Sequence, residues 1–171
     1  MPSPIPYKVL CVCLGNICRS PTAEAILRHY CDAHGLNVSV DSAGTSNCHP
    51  NKAPDARSQK HALQRGYDLS GLRARQIRLE DFIEFDLILA MDYENFDDIQ
   101  SLLSKALRQF GAEQIRAKIA LMSEHDPHFN QQAVPDPYYG GADGFDRVLD
   151  QCESSSQAWI NILKKQMQAG Q

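Results

Sequence analysis

The chain has 171 residues and a mass of 19.1 kDa, which suits one domain with one hydrophobic core and is short for two domains. Hydrophobic residues make up 43% of it and charged residues 22%, a composition that excludes a disordered or fibrous protein. The net charge of -4, without a run of like charge, argues against a surface for nucleic acid or acidic membranes. A small molecule or a protein is therefore the expected partner.

The N-terminus lacks the charged and apolar segments of a secretory signal, and no apolar run reaches the roughly 20 residues of a membrane-spanning helix. We therefore expect a cytoplasmic protein that does not contact membranes. In that compartment the six cysteines are expected as thiols, and their spacing matches no zinc pattern. His125, Asp126 and His128 are the nearest approach to a metal motif, but they lie in a proline-containing loop, and we predict no metal.

The predicted elements alternate between strands and helices along the chain. Predicted strands cover residues 7–13, 38–40, 85–91 and 118–122, and predicted helices cover 20–35 and 55–66, a segment that ends at 110, and a last segment that includes 145–163. Long polar loops are predicted at 41–54 and 123–144. This order predicts one α/β domain over residues 1–171, with a core of about 6–168 and a parallel sheet. Ligands of such folds bind at the carboxyl ends of the strands.

The junction between the first strand and the first helix is the segment that carries chemistry. It reads Cys13-Leu-Gly-Asn-Ile-Cys-Arg-Ser-Pro21. Backbone N–H groups and the positive end of the helix converge there on one point, which predicts an anion site. Gly15 allows a sharp bend and Asn16 tolerates a left-handed conformation. The loop lacks the lysine and the repeated glycines of nucleotide-binding loops, so a phosphate-sized ligand is favoured.

Cys13 and Arg19 bracket this loop and suit nucleophilic chemistry on phosphorus. A helix N-terminus and a nearby arginine favour the thiolate form of a cysteine, so we predict that Cys13 is the nucleophile. Arg19 can hold two phosphoryl oxygens at once through a pair of its N–H donors. Ser20 can donate to the Cys13 sulfur, which helps the thiolate to form and later to leave. The predicted phosphate-binding residues are Leu14, Gly15, Asn16, Ile17, Cys18 and Arg19.

The loop resembles the signature loop of the low molecular weight protein tyrosine phosphatases. Four further segments, at residues 41–46, 74–77, 85–92 and 136–140, resemble the family in its order, so the likeness covers nearly the whole chain. The resemblance implies a four-stranded parallel sheet flanked by helices, with the phosphate-binding loop between the first strand and the first helix. It also implies hydrolysis of phosphotyrosine through a phospho-cysteine, with phosphate as product and without a metal or cofactor.

Asp136 supplies the proton transfer that this reaction needs. A phenolate, whose acid has a pKa near ~10, is a poor leaving group at neutral pH unless an acid protonates it. Asp136 can donate that proton and then, as a carboxylate, activate the water that hydrolyses the intermediate. Tyr138 and Tyr139 are predicted to wall the substrate cleft, and the resemblance marks them as candidate phosphorylation sites.

Two positions depart from the family. Leu72 stands where related enzymes commonly have a histidine that holds the loop asparagine, so Asn16 is expected to depend on Ser20 and Ser42. A Leu72→His change would then raise turnover. Cys48 and His49 stand where an aromatic residue often faces the phosphotyrosine ring; His49 is a candidate for stacking, and a solvated loop histidine is the alternative.

Cys18 lies inside the loop, near Cys13 in sequence. The resemblance implies a reversible Cys13–Cys18 disulfide that blocks the nucleophile and protects it from over-oxidation. A small packed thiol is the alternative.

Two other functions compete with a phosphatase. A thiol-dependent arsenate reductase can share the loop, but it needs a thiol relay, and only Cys48 and Cys152 follow Cys31, while Asp136 would be unexplained. A silent phosphotyrosine-binding module would require loss of the nucleophile or the acid, and both are present. The expected partners are a phosphotyrosine protein as substrate and a tyrosine kinase, and the expected state is a monomer.

Overall fold

The computed structural model describes residues 5–169, in which the predicted strands and helices follow in the predicted order, with one further short helix before the third strand. The strands are β1 (Tyr7–Cys13), β2 (Val38–Gly44), β3 (Leu87–Ala90) and β4 (Lys118–Leu121). The helices are α1 (Arg19–Ala33), α2 (Ala56–Gln64), α3 (Asp81–Glu84), α4 (Tyr93–Phe110) and α5 (Asp143–Ala169), with a 3₁₀ turn at Ala112–Gln114.

The four strands form one parallel sheet in the order β2-β1-β3-β4. The register of β1 and β2 runs from Tyr7 opposite Val38 to Cys13 opposite Gly44. Because the strands all point the same way, their carboxyl ends meet at one edge of the sheet. Cys13, at the end of a central strand, is therefore placed at the middle of that edge.

Helices cover both faces of the sheet, and β1 contributes to both cores because successive strand residues point to opposite faces. On one face Val9 and Cys11 pack with buried residues of α1 and α5, such as Ile26 and Ile160. On the other face Leu10 and Val12 pack with residues of α3 and α4 such as Phe82 and Ile99. Every residue of β1 from Val9 to Cys13 is buried, which explains why this strand reads as a continuous apolar run.

β2 extends to Gly44, four residues beyond the predicted 38–40, so the prediction of a loop from residue 41 was wrong at its start. Asp41 and Ser42 are polar and read as loop, yet their backbone continues the ladder with β1. Their side chains have polar partners at the edge of the sheet, so the strand can carry them.

Several other boundaries differ from the prediction, among them those of α1 and α2 by one or two residues. β3 is shorter than the predicted 85–91, because Phe85 closes α3, which the sequence did not predict, with its N–H donating to the carbonyl of Asp81. The last helix begins at Asp143 and reaches Ala169, beyond the predicted 145–163. β4 ends at Leu121, one residue before the prediction. Along residues 5–169 none of the helices combines the length and the apolar character needed to cross a membrane.

Candidate active site

The loop between β1 and α1, residues 13–19, lies at the carboxyl edge of the sheet and is held from two sides. The backbone N–H groups of Thr45 and Ser46 donate to the carbonyls of Cys13 and Leu14, both at 2.9 Å. On the other side the N–H of Asp55 donates to the carbonyl of Ile17 at 2.8 Å. These carbonyls thus accept from donors outside the loop, while the N–H of Asn16 is directed at the Cys13 sulfur.

Asn16 fixes the loop from behind. Its backbone has the left-handed φ of 59° that the sequence suggested, and its side chain is buried. The Nδ2 group donates to the hydroxyls of Ser20 at 2.8 Å and Ser42 at 2.9 Å. Its Oδ1 accepts from the backbone N–H of Arg75 at 3.0 Å. The two predicted serines are thus placed on Asn16, and Arg75 is a third partner that the sequence did not suggest.

Leu72, predicted to stand in the place of a family histidine, is partly buried and packs against the hydrophobic cluster that includes residues of α1 and α5. The hydrogen bonds behind Asn16 continue through Ser42, whose hydroxyl donates to Glu24 Oε1 at 2.6 Å. Glu24 is buried in α1 and pairs with Arg28. Burial raises the pKa of Glu24, although Ser42 and Arg28 act in the opposite direction. A charged residue among the apolar positions of α1, with an arginine four residues later, was the sequence signal for this pair.

The Cys13 sulfur accepts a hydrogen bond from the backbone N–H of Asn16 at 3.3 Å and lies 3.0 Å from the Ser20 hydroxyl. A thiolate has no proton to give, so Ser20 is the donor whenever Cys13 is ionised. The Ser20 oxygen also accepts from Asn16, and the alternative acceptor for its proton, the carbonyl of Ala43, lies farther away at 3.4 Å. The pair therefore supports a negative sulfur at the centre of the loop.

Arg19 is buried, with 4% of its side chain exposed, and its guanidinium is fixed by two acceptors. Its Nη1 lies 2.6 Å from Asp92 Oδ2 and donates to the carbonyl of Val134 at 3.2 Å. Burial alone would lower the pKa of Arg19, but Cys13, Asp92 and Asp136 outweigh it and raise that pKa. The guanidinium is therefore charged and oriented before any ligand arrives.

Asp92 is a functional residue that sequence reasoning missed. It follows β3 directly, and its Oδ1 caps α4 by accepting from the N–H of Asn95 at 2.7 Å. The other oxygen holds Arg19. An aspartate placed immediately after a buried strand, at the edge where ligands bind, was the signal that could have identified it.

Asp136 lies across the pocket from the loop, with its Oδ2 3.7 Å from Nη2 of Arg19 and 45% of its side chain exposed. Its Oδ1 accepts from the backbone N–H of Tyr138 at 3.1 Å, which sets the orientation of the carboxylate. The other oxygen is free of that bond and faces the pocket side of Arg19. A carboxyl group placed there can exchange a proton with a ligand bound by the loop.

One pocket of ≈ 230 Å³ brings most of the predicted residues together. Asn16, Ser20 and Ser42 lie behind the loop and support it. Ser46 and Cys48 line the pocket as well; Ser46 was not predicted, and Cys48 was noted only as a departure from the family. The predicted residues in its lining are Cys13, Leu14, Gly15, Ile17, Cys18, Arg19, His49, Asp136, Tyr138 and Tyr139.

Aromatic rings form opposite walls of the pocket. His49 packs on Gly15, where a Cβ would lie 3.1 Å from its ring, and it faces Tyr138 with ring centroids 6.5 Å apart. Tyr138 and Tyr139 meet edge to face at 4.9 Å, and Tyr139 is 93% exposed at the rim. His49 is thus half-buried and lines the cleft beside Tyr138, and its stacking on a substrate ring stays a prediction.

The other cysteine of the loop differs from Cys13 in its chemistry. Burial raises the pKa of Cys18 to about 12, although a hydrogen bond to Ser58 acts against this shift. Cys18 is therefore a thiol at neutral pH and is not a competing nucleophile.

Within residues 5–169 no group of three His, Cys, Asp or Glu side chains is arranged to hold a metal ion. Asp126 instead accepts hydrogen bonds from Ser154 and Ser155.

Comparison with known proteins agrees with this geometry. A family model described as low molecular weight phosphotyrosine protein phosphatase matches residues 8–169. The chain belongs to this family. The human low molecular weight phosphotyrosine protein phosphatase is 40% identical over 154 residues, which are 89% of this chain and 92% of the human protein.

Solved structures show the same fold. A protein tyrosine phosphatase from Entamoeba histolytica, crystallised with Hepes in its active site, superposes with a TM-score of 0.84 at 36% identity, covering 94% of this chain and 99% of that one. A Drosophila arginine phosphatase also gives a TM-score of 0.84, at 32% identity, covering 92% and 98% of the two chains. The predicted family and the predicted four-stranded parallel α/β fold are both confirmed.

Proposed function

We propose that this member of the family hydrolyses phosphotyrosine monoesters in two steps, through a phosphoryl group carried on Cys13. The observation that carries the proposal is the convergence of three groups on one pocket: the Cys13 sulfur, the Arg19 guanidinium and the Asp136 carboxylate. They correspond to the nucleophile, the stabiliser of phosphoryl charge and the proton donor that the reaction requires.

In the first step the Cys13 thiolate attacks phosphorus while Asp136 protonates the departing phenol oxygen. The sulfur–phosphorus bond forms as the phosphorus–oxygen bond breaks, and the proton of Asp136 leaves with the tyrosine. Arg19, fixed by Asp92, holds equatorial oxygens as charge spreads over them in the transition state. Loop N–H groups add further donors around the same oxygens.

In the second step the Asp136 carboxylate takes a proton from a water that attacks phosphorus. Phosphate is released and Cys13 departs as a thiolate, stabilised by the hydroxyl of Ser20 and the N–H of Asn16. The same two donors thus act on the sulfur at the start and at the end of the cycle. No step requires a metal ion or an organic cofactor.

The walls of the pocket favour an aromatic ester. Tyr138 on one side and His49 on the other can contact a flat ring whose phosphate is seated in the loop. A serine or threonine phosphate has a shorter stem and no ring to fill the space between those walls. We therefore propose phosphotyrosine proteins as substrates.

The setting of the enzyme is part of the same proposal. We infer a cytoplasmic monomer whose substrates are phosphotyrosine proteins produced by a tyrosine kinase. The arsenate reductase alternative is not favoured, because the related proteins carry phosphatase names and the late cysteine Cys152 is fully buried. Burial raises the pKa of Cys152 to about 12, which further disfavours a thiol relay through it.

The test is hydrolysis of matched phosphotyrosine, phosphoserine, phosphothreonine and phosphoarginine peptides with a metal chelator present. We expect chelator-resistant turnover of the phosphotyrosine peptide, no turnover in Cys13→Ser and a loss of about 10²-fold or more in Asp136→Asn. Preference for phosphoarginine would assign the activity named for the Drosophila relative instead. Silence toward all four peptides, with reduction of arsenate by a thiol reductant, would replace the proposal by its alternative.

A further inference from the structure

Arg57 links the loop that carries the nucleophile to the segment that carries the general acid. It is the second residue of α2, at the margin of the pocket, and 47% of its side chain is exposed. By sequence alone it is an ordinary surface arginine beside an aspartate. Its contacts in the structure reach three different parts of the fold.

The guanidinium is held in place by Asp55, the N-cap residue of α2. Asp55 Oδ1 accepts from the backbone N–H and from Nε of Arg57, at 2.8 Å and 3.1 Å, and Asp55 Oδ2 lies 2.9 Å from Nη2. Such a two-pronged contact fixes the plane of the guanidinium as well as its position. Asp55 is itself tied to the nucleophile loop, since its N–H donates to the carbonyl of Ile17.

The same Nη2 donates to the backbone carbonyl of Tyr138 at 3.1 Å. Tyr138 is also the residue whose backbone N–H donates to the Asp136 carboxylate. Arg57 therefore holds the carbonyl of Tyr138, while the N–H of the same residue orients Asp136. Pro135 and Pro137 flank Asp136 and have no N–H to donate, which leaves this segment few means of binding to the rest of the protein. A donor supplied from outside is correspondingly important.

Packing reinforces the hydrogen bonds. The Arg57 guanidinium lies over the ring of Phe145, at 4.8 Å from its centroid, and near the ring of Tyr138, at 5.5 Å. Phe145 is buried at the start of α5, directly after the acid-bearing segment. Cation–π contacts of this kind favour one arrangement of the guanidinium and of the loop beside it.

We propose that Arg57 is a positioning residue for the general acid: it sets the distance between Asp136 and the nucleophile loop through Asp55 and the carbonyl of Tyr138. The inference depends on the proposed phosphatase mechanism and adds to it a residue that touches neither the phosphoryl group nor the sulfur. Its consequence is specific. Loss of Arg57 impairs protonation of the leaving group and leaves attack by Cys13 intact.

Esters with different leaving groups separate these two effects. Phenyl phosphate needs a proton on its departing oxygen, whereas 2,4-dinitrophenyl phosphate expels a stable anion without one. For Arg57→Ala we expect kcat/KM to fall about 10-fold or more on phenyl phosphate and less than about 2-fold on dinitrophenyl phosphate. Arg57→Gln keeps one N–H donor for the Tyr138 carbonyl and is expected to recover part of the loss.

Two controls distinguish positioning from a general structural effect. Arg65, the C-cap residue of α2, pairs with Asp146, Asp150 and Glu153 of α5 rather than with the acid-bearing segment, so Arg65→Ala should treat both esters alike. In an Asp136→Asn background Arg57→Ala should have no further effect on phenyl phosphate, because residues that act through one another are not additive. Thermal unfolding of each variant confirms that it is folded during the assay.

The outcomes are separable. An equal loss on both esters, or a full additional loss in the Asp136→Asn background, would overturn the role of Arg57 and leave the phosphatase mechanism in place. A wild-type protein that hydrolyses neither ester would overturn the mechanism, and this inference with it. A selective loss on phenyl phosphate, absent in Arg65→Ala and masked by Asp136→Asn, is the result that the proposal predicts.

Discussion

A Cβ atom on Gly44 would lie 2.6 Å from the carbonyl oxygen of Leu14, a distance that no side chain tolerates without movement of the backbone. Glycine at the end of β2 therefore lets this strand approach the nucleophile loop closely enough for the neighbouring Ser46 N–H to bind the same carbonyl at 2.9 Å. The shape of the phosphate site is thus set in part by a residue that lines neither the pocket nor the core.

Gly44→Ala is expected to displace the nucleophile loop and to lower kcat/KM by about 10²-fold, since small misplacements of reacting groups are costly. Gly71→Ala is the matched control, because a Cβ at Gly71 would meet no atom within 4 Å and its φ is not in the left-handed region. Assays with phenyl phosphate and thermal unfolding of both variants check the prediction. Gly44→Ala with wild-type kinetics would show that the loop does not depend on this contact.

Oxidation of the nucleophile is expected to depend on pH through Cys18. Peroxide converts the Cys13 thiolate to a sulfenic acid, and the thiolate of Cys18 must then attack that sulfur to form the disulfide and release hydroxide. Burial raises the pKa of Cys18 to about 12, so its thiolate fraction rises about tenfold per pH unit below that value. Disulfide formation should accelerate from neutral to alkaline pH, while over-oxidation of Cys13 dominates near neutrality.

Peptide mapping after brief exposure to peroxide at several pH values measures both products. The ratio of the linked Cys13–Cys18 peptide to sulfinic Cys13 should rise with pH, and Cys18→Ser should abolish the linked peptide at every pH. A disulfide yield that is high at neutral pH and insensitive to alkali would contradict the prediction. Sulfinic acid alone at every pH would favour the packed-thiol interpretation of Cys18.

Asp126 is predicted to stabilise the fold in a pH-dependent way. Burial alone would raise its pKa, but the hydroxyls of Ser154 and Ser155 and two backbone N–H groups outweigh this and lower it. A lowered folded pKa means that the stabilisation is present above the unfolded value and is lost as the pH falls through the folded pKa. Asp126→Asn should cost roughly 1–3 kcal/mol of unfolding free energy at neutral pH.

Urea unfolding at neutral and strongly acidic pH checks this prediction, since the difference between wild type and Asp126→Asn should shrink as the carboxylate becomes protonated. A difference that stays constant across this range would show that the negative charge is not the source of the stabilisation. Asp143→Asn, which changes an exposed aspartate at the start of α5, is a suitable control for the loss of one charge.

The structure alters the expectation for Leu72→His. Both N–H groups of the Asn16 amide are already taken by Ser20 and Ser42, and its oxygen accepts from Arg75. A histidine would therefore find no vacant donor on Asn16, and it would remove a side chain that packs against the core. We now expect turnover to change by less than about 2-fold and stability to fall by roughly 1–3 kcal/mol. A clear rise in turnover would support the original sequence expectation instead.

The loop at residues 13–19, its position between a strand and a helix, and the left-handed Asn16 were predictable because the information for them is local. Cys13, Gly15, Asn16 and Arg19 lie within seven residues, between a strand and a helix whose patterns are strong. Asp136 was predicted as the proton donor because the chemistry of the loop requires an acid and because residues 136–140 resemble the family, whereas an aspartate between prolines alone indicates only a turn. Chemistry that depends on residue type and short spacing can be predicted from one sequence.

The residues that orient these groups were not predictable, because their partners are distant in sequence. Arg57 and Tyr138 are separated by 81 positions, and Arg19 and Asp92 by 73. Only the order of strands in the sheet brings such pairs together, and that order depends on tertiary packing. The misassigned end of β2 has the same cause: Ser42 reads as loop until its buried partner Glu24 is known.

The central claim, that Cys13 carries the phosphoryl group, is tested most directly by trapping that group. Asp136→Asn should form the intermediate from 2,4-dinitrophenyl phosphate without acid assistance and hydrolyse it slowly, so that it accumulates. Rapid quenching and mass spectrometry of the digested protein should then find one phosphoryl group on the peptide that contains Cys13. A phosphoryl group on another residue, or full turnover by Cys13→Ser, would contradict the account.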